Sequence, residues 1–376
     1  MTSQANSRPA ATPAASAGVR HLEVIGRGPR PSGGEGERAA RDYAASELRW
    51  LDFHVREEQF AFSTFPGRFG TPIAGVLLGG TIVTACGMAL RAMPATYVAA
   101  VFGAGALATG LFARWMLVDG VITAPWLRAQ GVNLVATRGA SAPRVWLVAH
   151  LDSKSQPLPS AARVAGVILV AAALVLVLAS LLLTLGGHAS RTMWWVAVFT
   201  GVIGALPVMA SVVGTRSDGA VDNASGVAAV LAAAALVSRD VPCGVLLPGA
   251  EELGLAGARA WASGRDSGIA LNCDGVDDDG TLVIMYDMEM PHSVVAALRA
   301  AAPPRMRARA RRMPLGLLTD STALAAAGWQ AVTVSHGSLA TLRRVHTSRD
   351  SLAALRGTAI DDVAGILARA AEALAT

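Results

Sequence analysis

Five short motifs carry acids and imidazoles at places where they can meet a metal ion. They are Val145-Trp146-Leu147-Val148-Ala149-His150-Leu151-Asp152, Gly219-Ala220-Val221-Asp222-Asn223, Gly249-Ala250-Glu251-Glu252-Leu253-Gly254, Asn272-Cys273-Asp274 and Val345-His346-Thr347. Imidazole nitrogen with carboxylate oxygen, and no sulfur, is a donor set for catalytic zinc and related divalent ions. The carboxylates outnumber the needs of one ion. Two ions held roughly 3.5–4 Å apart need a carboxylate between them, and Asp222, at a tight turn before a helix, suits that role. His150 and Asp152 stand two residues apart, so on an extended chain they point the same way, and Asp152 can orient the His150 ring. In the Glu251-Glu252 pair the two carboxylates point differently. One can bind metal while the other serves as general base toward water.

These residues need strands to bring them together. His150, Glu251, Glu252 and Asp274 each follow an apolar strand-like run, and ligands of α/β sheets gather outside the carboxyl ends of strands. The spacing predicts strands over 52–62, 132–136, 145–149, 241–247, 269–273, 282–285 and 331–335, and helices over 36–51, 225–237 and 360–374. The Asp222-Asn223 pair reads as the cap of the second of these helices. The pattern predicts an α/β fold with a mixed, mostly parallel sheet covered by helices on both faces.

Four apolar segments interrupt this pattern, at 71–90, 97–117, 164–185 and 193–213. Each reaches the roughly 20 residues needed to cross a bilayer. Short gaps pair them into two helical hairpins, so the expected organisation is a disordered tail (1–20), an α/β metal-binding domain in three pieces (21–70, 120–162 and 216–376) and transmembrane hairpins at 71–118 and 164–213. The chain is 53% hydrophobic and 16% charged, with a mean hydropathy of +0.45; the excess lies in those hairpins. Four crossings put the polar chain on one side. The hairpin tips hold only Arg91 and Arg191, whereas Arg68, Arg114, Arg128, Lys154, Arg163 and Arg216 flank the other ends. That bias predicts an integral membrane protein with a cytoplasmic catalytic domain. The Ala-, Ser-, Thr- and Pro-rich first residues lack the apolar core of a signal peptide.

The ordered motifs resemble the dinuclear-zinc aminopeptidase family, which also holds glutamate carboxypeptidases, transferrin-receptor-like proteins and glutaminyl cyclases. The resemblance covers nearly all of the polar chain, beginning with Gly26-Arg27-Gly28-Pro29-Arg30-Pro31-Ser32-Gly33 and Glu35. It implies a zinc-exopeptidase-like fold and two Zn2+. His150 and Asp274 would bind one ion, Glu252 and His346 the other, with Asp222 bridging. It makes Glu251 the general base and Asp152 the orienting acid. It gives Asp350 a supporting role toward His346. Thr319-Asp320-Ser321 falls where the family often has Ser-Asp-His near substrate, so Asp320 is a candidate with its usual histidine replaced. The two inserted hairpins depart from the family pattern: Asp222 follows His150 by 72 positions.

Other polar groups have plainer readings. Asp277, Asp278 and Asp279 read as a solvated turn. His54 reads as exposed on its strand, His188 and His292 as structural or exposed, and His21 as belonging to the tail. Tyr286 is the one tyrosine expected near the site. The arginine run 305–312 reads as a solvated face, or more sharply as a contact for anionic lipid; without interleaved aromatics it does not point to nucleic acid. Three scattered cysteines make neither a thiolate site nor a disulfide framework. The expected function is a membrane-embedded aminopeptidase acting on peptide or protein amino termini by metal-activated water. A glutaminyl cyclase is the alternative among enzymes, and an inactive membrane receptor or scaffold is the alternative outside them.

Overall fold

A computed structural model describes residues 15–188 and 190–375. Eight strands form one sheet: β1 (His54–Ser63), β2 (Arg128–Arg138), β3 (Val145–Val148), β4 (Cys243–Leu247), β5 (Ile269–Val276), β6 (Thr281–Tyr286), β7 (Arg309–Arg312) and β8 (Gln330–Gly337). Their order is β1-β2-β4-β3-β5-β8-β6-β7. The centre, β4-β3-β5-β8, is parallel, and β1 and β2 join it antiparallel. The parallel strands are short and apolar because both faces are covered.

Side chains alternate between the faces. Val145 and Leu147 of β3 join a core roofed by helices Ala17–Ile25, Glu35–Trp50, Gly226–Leu236 and Ile360–Ala375. Trp146 and Val148 face the other way, onto Trp261 and Trp329. The helix Gly226–Leu236 is apolar on every side and buried through Ala234, as its place in the middle of a layer requires.

The expected tail falls mostly on residues 1–14, which lie outside the described residues. From Ala17 the chain is helical and packed: Leu22 and Ile25 are buried, and His21 meets the Tyr43 hydroxyl at 2.8 Å. The arginine run is exposed, as a solvated face should be, but part of it is also a strand. Arg309–Arg312 is an edge strand paired parallel to β6, and charged side chains on an edge discourage further pairing. Asp277 and Asp278 are not a solvated turn. Asp277 is buried and accepts from Thr341 Oγ1 and Arg344 Nη2, both at 2.7 Å. Asp278 accepts from the Arg356 and Thr358 amides. Both carboxylates tie the end of β5 to the segment around His346.

The four apolar segments are helices Thr71–Leu90, Ala95–Val118, Ser160–Leu185 and Arg191–Met209. Each is long and apolar enough to cross a membrane. They pack on one another through Ile82, Ala85, Val170, Ala173, Val177 and Ala197. Small residues allow close approach, as helix pairs in lipid prefer: a Cβ placed on Gly166 would stand 2.7 Å from the Gly204 carbonyl. Their outer faces stay apolar and uncovered, with Val175 66% and Leu182 60% exposed.

Candidate metal centre

The strand ends deliver the acids as the sequence spacing requires. His150 and Asp152 follow β3, the Glu251-Glu252 turn follows β4, and Asp274 lies near the end of β5. Two clusters of donor atoms result: His150, Glu251 and Asp274 in one, and Asp222, Glu252 and His346 in the other. Asp222 lies between the two histidines. Its Oδ1 is 3.1 Å from His150 Nε2 and its Oδ2 is 3.0 Å from His346 Nε2. Glu252 Oε1 lies 3.2 Å from His346 Nε2, and Asp274 Oδ1 lies 3.8 Å from His150 Nε2.

Several contacts outside the cluster fix these side chains. His150 Nδ1 lies 3.0 Å from the Asp152 carbonyl oxygen. A carbonyl only accepts, so Nδ1 carries a proton and Nε2 is the ring nitrogen that faces the carboxylates. The Asp152 carboxylate stands farther off, 3.6 Å from that nitrogen. Its main bonds are to the Glu251 and Glu252 amides, at 3.0 and 3.2 Å. Asp152 therefore orients His150 chiefly through its backbone and holds the glutamate turn with its side chain. Asp350 likewise sits elsewhere than expected. Its oxygens accept from the Val221 and Asp222 amides at 2.7 and 3.2 Å, so it braces the Asp222 loop rather than His346. The partner of His346 is Ser160, whose Oγ is 2.8 Å from Nδ1.

The Asp222 loop has further supports. Arg30 is buried and donates to the Leu151, Asp218 and Gly219 carbonyls. Asn223 donates to the Cys273 carbonyl and accepts from the Gly226 and Gly275 amides, so it caps the helix and ties the loop to β5. Gly219, at φ +60, turns the chain into this loop. Ala250 and His346 also hold positive φ, 56° and 64°. Such conformations cost about 1–3 kcal/mol each and persist where the surroundings impose them.

The electrostatics match a site built for cations. Burial lowers His150, but Glu251, with Asp152, Asp222 and Asp274, raises it well above its ordinary value. Burial pushes Glu251 well above the carboxylate range, with Glu252, Asp320 and Asp274 adding to it and His150 opposing. Burial also pushes Asp320 up to about 8, with His150 opposing and Asp152, Asp274 and Glu252 reinforcing. Neither Asp320 oxygen has a hydrogen-bond partner, and His150 Nε2, His346 Nε2 and Glu252 Oε1 have only the close approaches among themselves and Asp222 given above, without hydrogen-bond geometry. Buried polar atoms left without partners are uncommon. Here they cluster with a donor set suited to divalent metal, so the residues fit such ions.

Sequence reasoning passed over Lys154, Arg30, Ser160 and Glu37. Lys154, the chain's single lysine, stands 2.5 Å from Glu252 Oε2. Position beside His-x-Asp was a usable signal for Lys154, but nothing in the sequence links Ser160 to His346. Tyr286 packs toward the sheet core and does not line the cavity that opens onto the acids.

A metallohydrolase with paired donor clusters at strand ends is what this fold and site define. The sequence profile of peptidase family M28 matches residues 133–371, more than half of the chain. The chain belongs to that family and is a zinc-dependent metallopeptidase. No curated protein matches the sequence. Among solved structures, an aminopeptidase from Aneurinibacillus sp. strain AM-1 is similar at 16% identity and TM-score 0.55, with 94% of this chain and 92% of that one covered. A glutaminyl cyclase from Porphyromonas gingivalis is similar at 15% identity and TM-score 0.55, covering 94% and 97%. A Zn-dependent exopeptidase from Parabacteroides distasonis is similar at 13% identity and TM-score 0.54, covering 95% and 97%. At these identities the likeness is one of fold.

Proposed function

We propose that the protein is a membrane-embedded dinuclear zinc aminopeptidase. The observation that carries this reading is Asp222 with one oxygen toward each histidine, at 3.1 and 3.0 Å. His150 and Asp274 would hold one Zn2+, Glu252 and His346 the other, and Asp222 would serve both. When bound, the ions supply Lewis acidity, polarising a carbonyl and making water a stronger acid. Glu251, beside His150 and outside the second cluster, takes the proton from water and passes it to the leaving amine. Its raised affinity for a proton suits a group that must both accept and give one. Asp152 keeps Glu251 in reach by holding its amide. The surplus of carboxylates lining the cavity, Asp222, Glu251, Glu252 and Asp274, favours the ammonium of a free amino terminus.

The helix surfaces support membrane embedding, because only lipid would cover side chains such as Val175 and Leu182. Trp115 and Trp126 meet edge to face at the inner end of the first hairpin, the kind of place where aromatic residues mark a membrane interface. The arginine bias supports a cytoplasmic catalytic domain. Cysteines placed at Met93 and Gly187 should be labelled from outside intact cells, and one at Ser263 should not. Labelling at Ser263 alone would reverse the orientation.

Glutaminyl cyclase is the second reading, because the Porphyromonas gingivalis enzyme matches as well as the aminopeptidase does. The two separate on a panel of aminoacyl amides and amino-terminal glutaminyl peptides, with and without a chelator. Chelator-sensitive release of amino acids supports the aminopeptidase. Ring closure of glutamine without release of other residues replaces it with the cyclase. No turnover of either kind by zinc-loaded protein favours a receptor or scaffold.

A further inference from the structure

The cavity above the acids does not end within the peptidase domain. It is a continuous space of about 1100 Å³. At one end stand Asp222, Glu251, Glu252, Asp274 and His346. At the other stand Ala74, Leu78, Ala113, Leu117, Val167 and Val208, all on the four apolar helices. Leu78 lies seven residues into Thr71–Leu90, and Val167 seven into Ser160–Leu185. At about 1.5 Å per residue, the apolar wall runs roughly 10 Å along these helices from their domain ends.

The remaining wall is a strap, Met313-Pro314-Leu315-Gly316-Leu317-Leu318, which lines the same space. It lies against the third apolar helix: a Cβ placed on Gly316 would stand 3.4 Å from Val167 Cγ2. Leu315 and Leu318 remain 63% and 44% exposed, a costly arrangement in water at the ends of helices that suit lipid. Arg163 and Arg259 also line the space. Arg163 has one long bond, 3.4 Å to Gln156 Oε1, and its Nε has no partner. These two cations disfavour basic side chains on anything bound in the cavity.

We infer that the substrate is an amphiphilic peptide: its free amino terminus and first peptide bond lie at the acids, and the apolar residues that follow lie among the hairpin helices and the strap. This deepens the aminopeptidase reading and rests on it. A pocket for one side chain needs no wall built from two hairpins. A run of apolar residues does, and gains roughly 25 cal/mol for each Å² it removes from water. Apolar helix residues line one part of the space, so such a peptide can keep its tail among them while its amino terminus reaches the acids.

The test uses the full-length zinc-loaded protein in detergent micelles. Two peptide series share the same first residue and scissile bond. One continues with leucine and valine, the other with serine, glycine and glutamine. The expected kcat/KM for the apolar series is at least ten-fold higher. V167W and A113W, which fill the wall from separate helices, should bring the ratio near one; zinc content checks that each variant is folded. A ratio near one in the wild type overturns the inference. So does a high ratio that both folded variants keep, because that would report partition into micelles rather than binding in the cavity. No release of the first residue from either series overturns the aminopeptidase reading, and this inference with it; release at equal rates overturns this inference alone.

Discussion

The two halves of the site are built from different kinds of structure. His150, Glu251, Glu252 and Asp274 stand at or near the ends of strands in a sheet closed on both faces, so their backbone positions follow from the core beneath them. His346 and the cavity wall depend on the apolar hairpins. Ser160, the first residue of an apolar helix, meets His346 Nδ1, and the Gln156 amide donates to the His346 carbonyl at 2.7 Å. The helical turn Pro66–Gly70, which runs directly into the first hairpin as one apolar span Pro66–Leu90, touches the glutamate turn itself: a Cβ on Gly67 would stand within 2.6 Å of the Leu253 backbone. The second hairpin enters and leaves through a small bridge between Ser155 and Gly214. The contrast teaches that the insertions are not passive anchors. The sheet supplies most of the proposed ligands, and the hairpins contact some of them and supply the walls.

The largest effect should come from the sheet half. E251Q keeps size and hydrogen bonding but removes the base, so turnover should fall about 10²–10⁴-fold. Metal content, measured by elemental analysis, should stay near that of the wild type. A variant that loses metal and keeps its activity would exchange the roles of Glu251 and Glu252.

A second effect lies beneath that half. Glu37 is buried, and its Oε2 accepts from the Gly33 amide at 2.5 Å. Burial, with Asp152 adding, pushes it from 4.5 up to about 7. The folded state therefore binds a proton that the unfolded state releases, and stability is lost as pH rises from about 4.5 through about 7. The full difference is about 3 kcal/mol. Thermal unfolding in detergent should show wild-type Tm falling over that window more steeply than the Tm of E37Q. Parallel curves would mean that Glu37 is ionised in the folded protein throughout.

The hairpin half should give a smaller but more telling effect. G67A forces a methyl group against the Leu253 backbone and should cost about 1–3 kcal/mol. It should lower kcat, because Leu253 adjoins the glutamates. G80A, where a Cβ would meet nothing within 4 Å, should leave kcat unchanged. Equal behaviour of the two would mean that the first hairpin is not coupled to the turn.

Much of the sheet half was legible in the sequence. The apolar runs before His150, Glu251 and Asp274 announce strand ends, and seven of the eight strands follow from such runs. β7 was hidden because its Arg309-Ala310-Arg311-Arg312 has the composition of a solvated face and forms a strand only through its edge pairing with β6. The hairpins were legible as apolar lengths, since length and composition suffice for that. Their links to the site were not. Ser160 on His346 spans 186 positions, and Asp350 under Asp222 spans 128. A serine at a helix start, or an acid after a histidine, has many local uses, and only the folded chain selects among them. Asp152 shows the same limit at short range. Its place two residues from His150 suggested one bond, whereas the fold directs its carboxylate to the amides of a turn 99 positions away.

The claim that the hairpins help build the metal centre is tested most directly by zinc affinity. The measurement is a competition titration on wild type, S160A and S180A in the same detergent. Ser160 and Ser180 lie on one helix, but the Ser180 hydroxyl has no hydrogen-bond partner. Removing a hydroxyl that orients a metal-binding histidine typically weakens affinity by about 10–100-fold. The account predicts that loss for one of two bound zinc ions in S160A, with the other unchanged and S180A like the wild type. Wild-type affinity for both ions in S160A would contradict it.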